Sequence, residues 1–402
     1  MELFDVAVVG GGLVGASLAR ALAGTSLATV LIESVAPGSQ AQPSFDERTT
    51  ALGNASRRIF QGLGVWEAIE PRAAAIRAIH ISDAGRFGFA RLEARDHGIE
   101  AFGYVAPNRV IGAALWERLA GAPRIAVRVP ARLDAAVIEQ DRVALTLRSG
   151  TGLETLAARL VVAADGADSS VRRAVGIEAR TRDYGQVALV ANVVADRPHE
   201  GTAFERFTPA GPIALLPSRD GSYTAVWARA PSQAEEALAL GARAFLEQLQ
   251  MHFGWRAGRF ERCGARAAYP LRLTQARAAV HSRAVLIGNA AQALHPVAGQ
   301  GFNLGLRDAA QLAEILAQAS DAGAPEVLAR FAAQRAIDRR GVVGFTDGLV
   351  RLFGDSRPPV RIARNVALLI FDLLPPAKSA LARVSTGFGG RIPRLARGLP
   401  LT

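Results

Sequence analysis

The stretch Asp5-Val6-Ala7-Val8-Val9-Gly10-Gly11-Gly12-Leu13-Val14-Gly15 decides the fold. Val6 to Val9 is an uninterrupted apolar run of the kind that forms a strand buried on both faces. Leu13 to Ala23 then has helical spacing, and Ala28 to Glu33 reads as a second strand. Strand, glycine turn, helix and strand make a βαβ unit, and the turn contains G-x-G-x-x-G. Gly10 permits the tight turn, Gly12 lets a pyrophosphate approach the backbone, and Gly15 lets the helix pack on the strand. The helix N-terminus offers free N–H groups and the positive end of its dipole to phosphate. Glu33 closes the second strand, where a carboxylate accepts hydrogen bonds from a ribose. The pattern points to a dinucleotide site; the alternative is a glycine turn with a purely structural role.

Outward from this unit, Asn54 to Leu63 reads as a helix, and Ile76 to Phe89 as strands. Val110 to Leu119 reads as a helix, and Val129 to Leu147 as a meander leading to the buried run Leu160 to Ala164. Strands follow from Tyr184 to Trp227, then a second buried run at Ala284 to Ile287 and a helix from Phe302 to Gln318. Helix-linked buried strands thus occur early, in the middle and late, with β-rich blocks between them. This implies one α/β domain built from separated segments, with a mostly antiparallel sheet inserted. The expected division places 1–75, 100–180 and 270–345 in the nucleotide domain and 76–99 and 181–269 in the inserted sheet. Residues 346–402 form a C-terminal helical and basic tail.

Half of the 402 residues are hydrophobic, which suits a globular chain and argues against disorder. The net charge of +11 comes almost wholly from arginine, Lys378 being the one lysine. No recognition motif accompanies the charge, so no nucleic-acid partner is expected, and attraction to anionic substrates or lipid is favoured. One cysteine, Cys263, excludes an intrachain disulfide and suits a reducing compartment, with a buried apolar role as its simplest reading. With no basic leader and no long apolar run, a cytoplasmic location is expected. The scattered histidines give no metal spacing.

Two further motifs follow buried strands. The second is Ala164-Asp165-Gly166-Ala167-Asp168-Ser169-Ser170-Val171-Arg172; by itself its Asp-Gly is an ordinary turn. The third runs from Gly288-Asn289-Ala290-Ala291-Gln292-Ala293-Leu294-His295-Pro296 through Gly299-Gln300-Gly301-Phe302-Asn303-Leu304-Gly305. Its glycines open a helix at a strand end, where backbone donors can meet an anionic or electron-rich ring. Together and in this order, the three motifs resemble the class A flavoprotein aromatic monooxygenases, and within them the ubiquinone-biosynthesis hydroxylases. Asn289 with Gln292, Ala203-Phe204-Glu205-Arg206-Phe207-Thr208, Tyr269-Pro270-Leu271, Thr346-Asp347-Gly348 and Arg364-Asn365 are similar to the branch acting on polyprenyl-methoxyphenol.

The resemblance implies a Rossmann-like FAD-binding domain, an inserted antiparallel substrate sheet as in 4-hydroxybenzoate hydroxylase, and C-terminal helices. It implies FAD bound at Gly10, Gly12, Gly15, Glu33, Asp165, Gly166, Gly288, Asn289, Gly299, Gln300, Gly301, Phe302 and Asn303. NADPH or NADH would serve as transient electron donor, with O₂ and a polyprenyl phenol as substrates and oxygen transfer through a flavin C4a-hydroperoxide. Asn289 stands where the family has Asp; its amide still bonds the ribityl chain but brings no charge. Arg48 matches a family arginine near the flavin, a surface arginine being the alternative, and Arg109 matches a position touching FAD. His295 is a candidate base, or a packed residue, and Pro296 is expected to face the flavin. His80, Phe204, Tyr223 and Tyr269 are substrate-side candidates, with core packing the alternative for His80 and Tyr223. Trp66, Trp116 and Trp255 read as packing.

The expected reaction is hydroxylation at C1, para to the phenol hydroxyl. The rivals are a sister hydroxylase acting elsewhere on the ring or on a soluble phenol, and a flavin-bound scaffold of a biosynthetic complex. In the tail, Val366 to Leu374 reads as a helix packed on the FAD domain. The stretch after Lys378, with Arg383, Arg391, Arg394 and Arg397, reads as a surface segment for anionic lipid at the inner membrane face or for a partner in the complex.

Overall fold

Val6, Ala7 and Val8 are fully buried because their strand, Glu2–Val9, lies between two parallel neighbours, Gly152–Ala163 and Thr29–Ile32. The computed structural model describes residues 1–39, 48–150, 152–295, 299–355, 357–388 and 390–401. The first sheet continues outward through Ala284–Leu286 on one side and Ile125–Arg128 on the other, both parallel. A hairpin of Ala131–Ile138 and Val143–Ser149 extends the first half of Gly152–Ala163. The buried runs at 6–9, 160–164 and 284–287 thus come together as adjacent strands, although more than a hundred residues separate each from the next in sequence.

The second sheet has the order Gln292–Ala293, Phe260–Ala276, Ala179–Ala195, Tyr223–Arg229, Gly211–Pro217, Thr202–Thr208, Ala78–Asp83, Phe89–Glu93. Its pairings are antiparallel except that Thr202–Thr208 runs parallel to Ala78–Asp83. One face is covered by the helices Pro231–Ala239 and Ala242–Phe253, around Trp227, Phe245 and Phe253. The strand expected across Ile76 to Phe89 is divided: Ala74–Ile76 joins a small third sheet with Thr49–Gly53 and Gly103–Pro107.

The C-terminal part corrects one expectation and refines another. Pro358–Leu373 is a helix that covers the edge strand Phe89–Glu93, with the Gly88 N–H donating to Asn365 (3.1 Å) and the Arg91 N–H to Asp372 (2.9 Å). An exposed strand edge is a pairing hazard, and a covering helix removes it. The stretch after Lys378 is not a surface segment. Ala382, Leu395 and Ala396 are buried, the Ala55 N–H donates to the Thr386 carbonyl, and the Arg394 N–H donates to Glu314 (2.7 Å). Apolar positions between the arginines supply core residues, while the arginines stay near the surface. Trp255 is also corrected: it is exposed, not packed. Cys263 is half-buried and free. Among the described residues no single helix is long and apolar enough to cross a membrane.

Candidate active site

The first glycine loop has a separate steric reason at each position. Gly10 has φ +102°, and a Cβ there would stand 2.5 Å from the Ala164 carbonyl oxygen. A Cβ on Gly15 would overlap the Gly10 carbonyl oxygen, so helix Leu13–Leu22 reaches the strand only without one. Gly12, the N-cap, has φ −63°, which any residue can adopt. Gly11 is held from both sides: its N–H donates to Glu33 Oε2 (2.6 Å) and its carbonyl accepts from Trp116 Nε1 (3.1 Å). Glu33 Oε1 accepts from the Val35 N–H (2.8 Å), so the carboxylate is fixed at the strand end. Trp116 is therefore more than packing, a role its place in an apolar helix concealed.

In the second motif, Asp165 Oδ2 accepts from the Ser170 N–H (2.7 Å), Ser170 Oγ (2.8 Å) and the Val171 N–H (3.2 Å). Its Oδ1 is buried without a hydrogen-bond partner among the described residues. Gly166 has φ +87° with open space around it, so its conformation, not crowding, calls for glycine. Arg172 donates to the carbonyls of Ala167 (2.8 Å) and Ala290 (3.0 Å), tying the second motif to the third. The sequence signal was its place at the end of the motif.

The third motif begins at Gly288, with φ +57° against Val14 of the first helix, and continues with Asn289 exposed. Helix Gln300–Leu316 starts from Gly299 at φ +60°. Phe302 points inward and stacks on Phe60 at 6.2 Å. Asn303 uses all four of its hydrogen-bonding positions within the protein. Its Oδ1 accepts from the Gly53 N–H (2.9 Å) and Ser56 Oγ (2.6 Å), while Nδ2 donates to the Ala51 (2.8 Å) and Gly299 (2.7 Å) carbonyls. Its side chain is a clamp on the loop and has nothing left to offer a cofactor. Beneath the motif, Gln292 donates to Asp308 (3.0 Å), which pairs with Arg335 (2.7 Å) and Arg339 (3.0 Å). Asp338 joins Arg335 (2.7 Å) and Arg307 (2.9 Å). Burial alone would raise the Asp308 carboxyl, but Arg339 and Arg335 outweigh it and hold it below the usual range.

The donor set fits FAD. Two helices, Leu13–Leu22 and Gln300–Leu316, begin at these motifs, and a helix N-terminus carries the positive end of its dipole, which suits an anionic or carbonyl ligand. The unpartnered Asp165 oxygen and the fixed carboxylate of Glu33 can accept hydroxyl hydrogens.

Beside the start of the second of these helices lies an apolar cavity of about 380 Å³. Its wall comes from Ile79 and Ile81, Glu205 and Phe207, Gln300 and Asn303, and the C-terminal residues Leu349, Phe353, Leu368, Phe371 and Leu381. Glu205 is the one carboxylate among the described lining residues. It stands in a motif that the sequence reading quoted without assigning it a role.

Three of the substrate-side candidates do not line this cavity, because strand alternation sends neighbouring residues to opposite faces. His80 lies between the cavity residues Ile79 and Ile81 but faces the other way, against Phe89 and Phe204, with Arg256 Nη1 2.8 Å from its Nε2. Phe204 and Tyr223 pack edge to face at 6.1 Å in the core under the helices. Burial pushes His80 down to about 4, with Arg256 adding to it, and pushes Tyr223 up to about 12. Tyr269 is half-buried, with the Arg48 guanidinium 4.7 Å from its ring centre. Arg109 lines a different, polar cleft of about 400 Å³ with Arg72 and Arg219. His295 is buried edge-on to Tyr184 at 5.2 Å, and burial lowers it to about 4. Pro296 lies outside the described residues, as do the residues just before Arg48.

A family profile described as FAD binding domain matches residues 4–346, and the chain is an FAD-dependent aromatic-ring monooxygenase. It is 38% identical to the ubiquinone hydroxylase UbiL of Rhodospirillum rubrum, over 100% of this chain and 94% of that one. It is 32% identical to the 3-demethoxyubiquinol 3-hydroxylase of Escherichia coli, over 91% of this chain and 94% of that one. The chain belongs to the ubiquinone hydroxylase family of flavoprotein monooxygenases. Its fold is that of the p-nitrophenol 4-monooxygenase PnpA from Pseudomonas putida DLL-E4, with TM-score 0.80 and 20% identity over 97% of this chain and 100% of that one.

Proposed function

We propose that this enzyme hydroxylates the ring of a polyprenyl-methoxyphenol on the route to ubiquinone. The oxygen comes from O₂ and enters at C1, para to the phenol hydroxyl; NADPH or NADH is the transient electron donor. The observation that carries this reading is the apolar cavity whose wall includes Gln300, the first residue of the helix opened by the third motif. In this reading Gly10, Gly12 and Gly15 receive the pyrophosphate, Glu33 the ribose, and Asp165, Gly166, Gly288 and Asn289 the middle of the cofactor. The segment Gly299 to Asn303 faces its ring through the backbone, and Arg48 and Arg109 add positive charge nearby.

FAD, when bound, supplies the oxygen-activating redox chemistry. The chain has two other tasks. Ile79, Ile81, Phe207 and Phe371 keep water from the reacting centre. Glu205 accepts a hydrogen bond from the phenol hydroxyl, which enriches the carbon para to it. His295, lowered to about 4, is neutral at pH 7 and acts as a packed acceptor beside the loop rather than as a charged group.

The name of the E. coli relative favours a second reading, in which the ring position is the one hydroxylated in demethoxyubiquinol. Deleting the gene and identifying the quinone precursor that accumulates separates the two. A polyprenyl-methoxyphenol lacking the C1 oxygen supports the first; demethoxyubiquinol supports the second. Stopped-flow reduction of the bound flavin by NADPH tests the enzyme reading against a scaffold: substrate should accelerate it, and a rate that substrate leaves unchanged argues for the scaffold.

A further inference from the structure

The helix Pro358–Leu373 has two faces with different tasks. On the inner face, Arg364 and Asn365 both donate to the buried Asp83 (2.7 and 3.1 Å), and Leu368 and Phe371 wall the apolar cavity. On the outer face, Ile362, Val366, Ile370 and Leu373 are 67%, 43%, 51% and 78% exposed. Steps of four, four and three residues keep these side chains on one stripe of a helix. Surface stripes of large aliphatic residues mark interaction sites.

Further large apolar side chains are exposed on the hairpin that packs against this helix and on the loop after helix Ala242–Phe253. Gly88, whose Cβ would stand 2.7 Å from Asn365 Oδ1, brings the hairpin against this helix, and the adjoining Phe87 is 64% exposed. Phe87 and Trp255, itself 66% exposed, border an open surface cleft with Arg86, Arg206 and Arg256. Arg361 stands on the helix beside Ile362, and Lys378, which follows the helix, pairs with its Asp372 (2.9 Å). Exposed aliphatic and aromatic side chains rimmed by cations suit the interface of an anionic bilayer, where apolar groups enter the acyl boundary and cations meet headgroups. The helix and its successor Pro375–Ser385 together have membrane-like length and composition, with a bend of 93° between them.

We infer that the outer face of helix Pro358–Leu373, with Phe87 and Trp255, rests on an anionic lipid bilayer and sets the cavity behind it against the membrane. The polyprenyl chain then passes from the acyl layer into the cavity beside this helix, whose thickness of about 10 Å separates the two. The passage of substrate rests on the reading of a polyprenyl phenol as substrate; the lipid contact does not.

The test uses the full-length holoenzyme and the variant Ile370→Asp with Leu373→Asp, both positions exposed and outside the cavity wall. Wild type should co-sediment with phosphatidylglycerol/phosphatidylcholine vesicles and bind pure phosphatidylcholine less. The variant should keep its flavin and its turnover of a short-chain soluble phenol, lose about tenfold or more of vesicle binding, and lose turnover of a polyprenyl phenol carried in vesicles. Unchanged vesicle binding by the variant overturns the inference. So does a dimer or other protein assembly that the variant dissolves while neither protein binds vesicles. If the variant loses vesicle binding but wild type turns over no polyprenyl phenol, the lipid contact stands and the substrate reading falls.

Discussion

The first glycine loop and the apolar cavity are built in opposite ways. The loop takes six consecutive residues, Gly10 to Gly15, plus Glu33 at the end of the next strand, with Trp116 and Ala164 set against it. The cavity takes its wall from residues as far apart as Ala51 and Ser385, including two sheets and four helices. The difference shows where chemistry can be written. A close approach of backbone to phosphate demands glycine at fixed spacing, so it leaves a mark in sequence. A hollow lined by Ile, Leu and Phe demands only volume and apolarity, which ordinary core residues supply, so it leaves none.

The harshest way to break this comparison is to attack the ion cluster that the third motif stands on. Arg335→Met leaves Asp308 and Asp338 buried beside fewer cations. It should cost about 3–5 kcal/mol of stability, because losing one partner strands the buried charge of the others. Urea unfolding would measure it, and a loss under 1 kcal/mol would mean the cluster relaxes by admitting water.

Leu395→Ala probes the chain end that the sequence suggested was surface. Its side chain lies in the core against Gly62, where a Cβ would stand 2.8 Å from Leu395 Cδ2. The variant should lose about 2–4 kcal/mol of stability and some flavin content. A surface segment would lose almost nothing.

On the loop side, Glu33→Ala should leave the fold intact and weaken FAD by about 1.5–3 kcal/mol, read by titrating apoprotein. Because Glu33 also receives the Gly11 N–H, the variant loop should exchange that amide faster. Unchanged affinity would place the ribose elsewhere.

The smallest effect expected is a pH dependence. His295 titrates near 4 in the fold and near 6.5 when unfolded, so between these values the unfolded chain holds a proton that the fold does not. Stability is therefore full above about pH 6.5 and falls as pH drops toward 4. His295 should account for about 2 kcal/mol of the loss between pH 7 and pH 5. His295→Gln should flatten the stability profile by that amount, and an equal slope in the variant would show that the imidazole is hydrated in the fold.

How much was legible varied with the distance over which each feature is made. The helix after Val9 and the strand to Glu33 appear within a residue of their expected bounds, while the strand that ends at Val9 starts earlier than expected, at Glu2. The helix expected from Phe302 begins at Gln300, because Gly299 in the left-handed region already turns the chain into it. In the second sheet the candidates His80 and Phe204 lie on strands that border the cavity but on the face turned away from it. His80 and Phe204 caught attention as chemically distinctive residues, yet their neighbours Ile79, Ile81, Glu205 and Phe207 line the cavity. A period of two makes such a difference complete, and nothing local says which face of an inserted sheet meets the cofactor.

By itself, the sequence determined the glycine loop, its acidic partner and the order of the three motifs, because each depends on geometry that only certain residues satisfy. Only the tertiary structure decided which face of the second sheet is hollow, that Asn303 clamps the loop with its whole side chain, and that the residues near 395 belong to the core. Those outcomes depend on elements far apart in the chain arriving at the same place. Burial of a leucine, or the direction a strand presents, is a property of what packs against it and not of the residue's own neighbours.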